Sequence, residues 1–481
     1  MRITLRNFGH KFQSIVTELI NAGHNDNEIR QFLQENHSII VSQRTLTRRK
    51  EDWGLILHAS QQMADTEEHI KKYFDQGLTY SQIHHALTTS HNYTHSKRTL
   101  QRKITAMQLS RRLDDLDTAR VTIEAVVSCV MHLHLTPEGR NVGYRRMRQL
   151  LQTKFGITLH YCTHQSYTGP RWCGKSSQEG TQAKGLQNTR AQLHMVSRWS
   201  RQVEKFGITL YGFIDAWSRK ILGIYVHITN NDPRHIGYYY LQLVKETGGI
   251  PRRTSTDKGT ETIHLAGHQI NLTQQYNEES IDPTQSHLFT KSTHNQKIEC
   301  LWSQLMKQYN SELINKLFTA IEESFYDPQD PLEQLLFIYL WVPLVQRSLD
   351  DWTNNYNTYK RRLDKKSSLP TRCSADWCFN YPEEQGGEQG LIKVPSEAAD
   401  ALEKEFYPEG DELLRTTPKW FSDIIAELQA AFDLAIRIVT VHNVWEVFTV
   451  LNKAIQAYDT AWLSDPSNDP SLSKAARCLE T

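Results

Sequence analysis

At an offset of 54 residues the N-terminal segment repeats itself, and this duplication constrains the chain more than any other feature. Gly23, Ile29, Leu33, His37, Ser42, Arg44, Thr45, Leu46 and Arg48 recur as Gly77, Ile83, Leu87, His91, Ser96, Arg98, Thr99, Leu100 and Arg102. Nine identities in register over 26 positions mark a duplicated supersecondary unit. Each copy reads as three short helices. An amphipathic helix carrying Ile15 and Leu19, or Ile70 and Phe74, ends at Gly23 or Gly77, the residue type that closes a helix in the left-handed conformation. A second helix covers 28–34 or 80–87. Ser42 or Ser96 then caps a third helix, with Arg44, Arg48 and Arg49, or Arg98, Arg102 and Lys103, on its early turns.

Three short helices with arginines on the last form a helix-turn-helix, whose recognition helix lies in a major groove. Arginines at i and i+4 share a face and meet phosphates or a guanine edge together. The charge distribution agrees. The chain has a net charge of +1, yet residues 1–112 hold 16 Lys and Arg against 10 Asp and Glu, and residues 373–481 hold 8 against 19. A polyanion is therefore expected to meet the first two thirds of the chain.

No run of eighteen apolar residues occurs, which excludes a membrane-spanning helix, and the N-terminus has no apolar signal-peptide core. Seven scattered cysteines fit a reducing compartment better than a disulfide framework. An intracellular, nuclear protein is expected.

Gly143 to Ile157 reads as a basic amphipathic helix ending at Gly156, with Tyr144, Met147, Leu150 and Leu151 inward and Arg145, Arg146, Arg148 and Lys154 outward. Residues 163–188 are rich in Gly, Ser, Gln and Thr without periodicity and read as a linker. Strands follow at 206–214 and 221–228, separated by a turn at 216–219. Asn231-Asp232-Pro233 starts a helix that Gly248-Gly249 stops, a strand over 252–256 ends at Asp257, and a long helix opens at Thr293. This is an α/β layer architecture.

The stretches Tyr211–Arg219, Thr229–Arg234, Gly249–Arg253, Thr256–Glu261 and Asn295–Trp302, in this order, resemble the integrase core domain of eukaryotic transposon-derived proteins. The resemblance implies an RNase H-like fold and polynucleotidyl transfer on DNA with Mg²⁺ or Mn²⁺ held by carboxylates. Such chemistry uses two cations, bridged by Asp and Glu, that activate one oxygen and stabilise another. By the same resemblance Asp257 and Glu299 are the second and third acids and the candidate metal ligands. The first acid is missing: Ser197 falls where the family has aspartate. Asp215 is the nearest alternative carboxylate, although it aligns with a turn aspartate of the family.

Zinc is not expected, because His160, Cys162, His164 and Cys173 lack paired ligand spacing, and Cys373 and Cys378 likewise stand alone. Residues 331–362 read as one or two helices with Leu336, Leu340, Val345 and Leu349 on an apolar face, followed by Trp352, Tyr356 and a basic Lys360-Arg361-Arg362 that is either a DNA contact or a solvated helix end. Residues 383–388 read as a flexible acidic linker, helices follow at 417–439 and 442–462, and 465–473 reads as a disordered tail.

The expected organisation is two helix-turn-helix repeats (1–56 and 57–112), a third helical unit (113–162), a linker (163–190), the integrase-like core (191–372) and an acidic helical C-terminal region (373–481). Three functions are open. The chain is an integrase-like DNA-binding protein whose strand-transfer chemistry is lost, an active enzyme using Asp215, Asp257 and Glu299, or a non-catalytic protein-interaction scaffold. Expected partners are DNA, a second copy of the chain, and a protein of unknown identity for the acidic region.

Overall fold

The computed structural model describes residues 10–21, 24, 26–37, 41–53, 57–109, 115–136, 138–139, 142–159, 193–196, 206–229, 231–257, 259–277, 282–290, 296–305, 311–365, 367, 369–431 and 439–464. Two compact units divide at residues 112 and 113.

The first unit holds the duplicated triplets, α1 (His10–Asn21), α2 (Asp26–His37) and α3 (Gln43–Asp52), then α4 (Leu57–Asp75), α5 (Tyr80–His91) and α6 (Lys97–Ala106). The matched residues do matched work. Ser42 Oγ accepts from the Thr45 amide at 3.1 Å and Ser96 Oγ from the Thr99 amide at 3.3 Å, so both third helices start on the expected cap. Leu46 and Leu100 are fully buried beneath them, as are Ile29, Leu33, Ile83 and Leu87 of the helices before. Gly77 takes φ +81° after α4, while Gly23 lies outside the described residues.

The second unit begins with α7 (Ile123–Leu135) and α8 (Tyr144–Phe155). Met147, Leu150 and Leu151 are buried as their spacing requires. Arg146 does not point to solvent as expected. Its guanidinium lies over the Tyr359 ring at 5.7 Å, and burial lowers its pKa. Lys154 pairs with Glu138 and Asp351, so the helical segment docks on the rest of the unit through its basic face.

The central sheet comprises β1 (Leu193–Val196), β2 (Thr209–Asp215), β3 (Ile221–His227), β5 (Thr254–Asp257) and β6 (His287–Thr290), in the order β3-β2-β1-β5-β6. The first three are antiparallel, and β1, β5 and β6 are parallel. Between β3 and β5 run α9 (Pro233–Thr247), capped by Asp232 and closed by Gly248 at φ +71°, and the short β4 (Gly249–Pro251). Between β5 and β6 lies α10 (Ile263–Tyr276). After β6 come α11 (Gln296–Leu305), α12 (Ser311–Glu322) and the 28-residue α13 (Pro331–Thr358). The expected long helix from 293 is described over Gln296–Leu305 as α11, and residues 291–295 and 306–310 lie outside the described residues.

Alternation along β2 assigns its two faces. Leu210 and Ile214 join a core with Leu301, Trp302 and Leu305 of α11 and Phe337, Trp341 and Val345 of α13. Tyr211 and Phe213 join a second core with α9 and α10 on the opposite face.

The C-terminal region is built into this unit rather than tethered to it. Residues 383–388, read as a flexible linker, are ordered, and a Cβ on Gly387 would lie 2.5 Å from the Trp217 ring. After α14 (Ala375–Asn380), β7 (Leu391–Lys393) pairs antiparallel with β4, and α15 (Ser396–Phe406) packs on α9. Phe421, Ile425 and Leu428 of α16 (Lys419–Ala431) and Phe448, Leu451 and Ile455 of α17 (Val444–Ser464) complete the core around α13. The expected tail at 465–473 lies outside the described residues. Cys373 and Cys378, read as isolated, form a disulfide across the start of α14, their Cα atoms 6.7 Å apart. In the basic cluster Arg361 turns into the fold: its guanidinium donates to the Ser218 carbonyl at 2.8 Å, and burial pushes its pKa down to about 10.

Candidate functional site

Asp257 is the last residue of β5 and is half-buried. Thr254 and Thr256 share one face, where their hydroxyls meet the two ring nitrogens of His287 at 2.8 and 3.2 Å. Thr256 also reaches Thr262, at the start of α10. Alternation therefore gives Asp257 to the other face, the one that α11 covers. A Cβ placed on Gly212 of β2 would lie 2.9 Å from Cη2 of Trp302, so α11 crosses the sheet in near contact with its backbone. Glu299 lies on α11 one turn before Trp302, although its side chain is outside the described residues.

The strand register locates the level of Asp257. Leu193 stands beside Thr254 and His194 beside Ser255 in the parallel pair β1–β5. Continued by two residues, this register sets Val196 beside Asp257, and Val196 pairs with Gly212 on its other side. Val196, Asp257 and Gly212 thus form one level of the sheet, and the central member of it is an aliphatic residue. Ser197 lies outside the described residues.

Asp215 occupies the opposite end. It pairs with Leu193, the residue level with Thr254, so it stands three residues back from Asp257. That is about 10 Å along the strands, with two strand spacings of about 4.8 Å across. Asp215 is buried, and its Oδ2 accepts from the Ser218 amide at 2.7 Å and the Ser218 hydroxyl at 2.5 Å. Its backbone exchanges hydrogen bonds with Arg219 and Lys220. This carboxylate closes the β2–β3 hairpin. It cannot share a cation with Asp257, since ligands of one ion or of a bridged pair lie within a few ångströms of it.

Two residues near Asp257 were not singled out from the sequence. Tyr211 is buried, and its phenol is raised well above the ordinary value, first by burial and then by the carboxylates of Glu261 and Asp257. Glu261 folds back over Gly259, where an added Cβ would meet both carboxylate oxygens at 2.0 Å. The pattern Asp-x-Gly-x-Glu was the available signal. Among the described residues no group of three or more His, Cys, Asp and Glu is placed to hold a metal. His160, Cys162, His164 and Cys173 lie outside them. Of the expected metal ligands only Asp257 has a described side chain at this level of the sheet, since the Glu299 side chain and Ser197 lie outside the described residues.

The duplicated cations lie on exposed surface. Arg44, Arg48, Arg98 and Arg102 are exposed, and among the described residues none of their guanidinium groups has an ion pair or hydrogen bond. Arg49 and Lys103 are half-buried, and Arg49 pairs with Asp52 at 3.4 Å. Lys50 pairs with Asp26 and Arg30 donates to the Val41 carbonyl at 2.9 Å. No described helix is long and apolar enough to cross a membrane.

No curated protein matches the chain. Residues 191–381 match the family model described as integrase core domain, which spans the sheet, α9 to α13 and the hairpin of Asp215. Over this central segment the chain is similar to the integrase core domain family.

Proposed function

We propose that the chain is a nuclear, transposon-derived integrase-like protein that binds duplex DNA through residues 1–112 and has lost strand-transfer chemistry. The observation that carries the binding is the set of four duplicated arginines, exposed at equivalent positions of two equivalently capped helices, while neighbouring cations are tied down. Both triplets are read as helix-turn-helix modules with α3 and α6 as recognition helices.

The core is read as RNase H-like. Three antiparallel strands continued by two parallel ones, with a helix crossing over the level of Asp257, support that reading. The loss of chemistry rests on the same level. Displacement at phosphorus needs charge compensation at both the attacking and the leaving oxygen. Asp257 and Glu299 alone are a donor pair without the bridging carboxylate, and Asp215 is committed to its hairpin.

Titration of the full chain on duplex DNA across a salt series tests the binding. The slope of log K against log salt should shrink by about 0.9 for each phosphate contact removed, so Arg44→Ala with Arg98→Ala should lower it by about 2 if both meet phosphate. Absence of binding at low salt rejects the proposal.

A further inference from the structure

Resting on the DNA-binding reading, we infer that the two triplets read related but unequal half-sites, and that Thr47 and Gln101 are the residues that make them unequal. On α3 the residues Arg44, Thr47 and Arg48, at i, i+3 and i+4, form one exposed face opposite buried Leu46. On α6 the equivalent face is Arg98, Gln101 and Arg102, opposite buried Leu100. The two arginines are common to both helices and the residue between them differs.

Two other exposed differences are set aside: Asp52 against Ala106, in the last turn, where Asp52 pairs with Arg49, and Gln43 against Lys97. Gln43 corresponds to Lys97, whose ammonium is tied to the Ser81 hydroxyl at 2.5 Å on α5, away from the face. Arg49 and Lys103 are half-buried at the margin.

The chemistry of Thr47 and Gln101 diverges. Thr47 Oγ1 donates to the Gln43 carbonyl at 3.0 Å, one turn back, which leaves its methyl group as the outward feature. A methyl in the major groove recognises the C5-methyl of thymine. The Gln101 side-chain amide is exposed and has no hydrogen bond among the described residues. A glutamine amide offers a donor and an acceptor together, the pattern that pairs with N6 and N7 of adenine. The paired arginines suit guanine O6 and N7 in either half. The ligand is therefore a duplex with two half-sites that share guanines and differ at one base pair, thymine under Thr47 and adenine under Gln101.

The test is selection of bound duplexes from a random library by the full chain, repeated with Gln101→Thr and with Thr47→Gln, then titration on the recovered sites. Wild type is expected to recover unequal half-sites. Gln101→Thr should turn the adenine of its half-site to thymine, with affinity for the original site down on the order of ten-fold, and Thr47→Gln should make the reciprocal change. Salt-dependent binding whose base preference is unmoved by either exchange overturns this inference and leaves DNA binding standing. No salt-dependent binding by any form overturns both.

Discussion

The Trp302 indole lies against Gly212, so close that a Cβ on the glycine would sit 2.9 Å from the ring. The contact sets the height of α11 above the sheet at the level of Asp257 and Val196. Trp302 is 7 % exposed and walled in by the core of α13, so the ring has no free direction in which to yield. Gly212→Ala should cost about 1–3 kcal/mol of stability in a denaturant titration, the range for overpacking a filled core. A neutral substitution would show that α11 does not rest on β2 there.

A second close approach joins the C-terminal region to the core. A Cβ on Gly237 of α9 would lie 1.9 Å from the Tyr407 hydroxyl, which is itself held by His268 Nε2 at 2.6 Å and His264 Nδ1 at 3.1 Å. Gly237→Ala should destabilise by roughly 2–3 kcal/mol. In the Tyr407→Phe background the added methyl no longer meets the hydroxyl, so its cost should fall, giving a coupling of about 1 kcal/mol or more in a double-mutant cycle.

Acid should weaken this unit through its buried histidines. Burial lowers His268 to about 4, with His264 adding to the effect; burial and then His235 lower His227 to about 4, and burial lowers His287 to about 4. Between that value and the unfolded value near 6.5 the unfolded chain binds more protons, so stability rises with pH in this window. It should be fully present above about pH 6.5 and fall as pH drops towards 4. Denaturant midpoints measured from pH 7 to pH 4 should show the fall, and His268→Gln should make it shallower. An unchanged slope in that variant would mean His268 is charged in the folded state.

Much of this architecture was legible in the residues. The duplication set the three-helix units and their serine caps, and alternation along 206–214 set β2. Elements with weak patterns were not. Helix α7 carries Val126 and Leu133 inward but Ile123, Val127, Met131 and Leu135 outward, so no amphipathic face stands out. Helix α10 buries His268, Gln269 and Thr273; partners distant in sequence satisfy the first two, and Gln269, one turn back, satisfies Thr273. Among the described residues β1 spans only Leu193 to Val196 and β6 only His287 to Thr290, too short for a pattern to stand out. Around the site, Asp257 and the hairpin role of Asp215 were readable from local sequence. The position level with Asp257 was not, because strand register depends on the pairing of β1 with β5 rather than on either sequence alone.

The most direct test is a strand-transfer assay in Mn²⁺ with labelled duplex ends, run at protein concentrations where DNA is shown to be bound. The wild-type chain should give no joined product above the protein-free background, Asp215→Asn should change nothing, and Val196→Asp should gain product where Ser197→Asp gains less. Robust joining by the wild type, abolished by Asp215→Asn, would contradict the account.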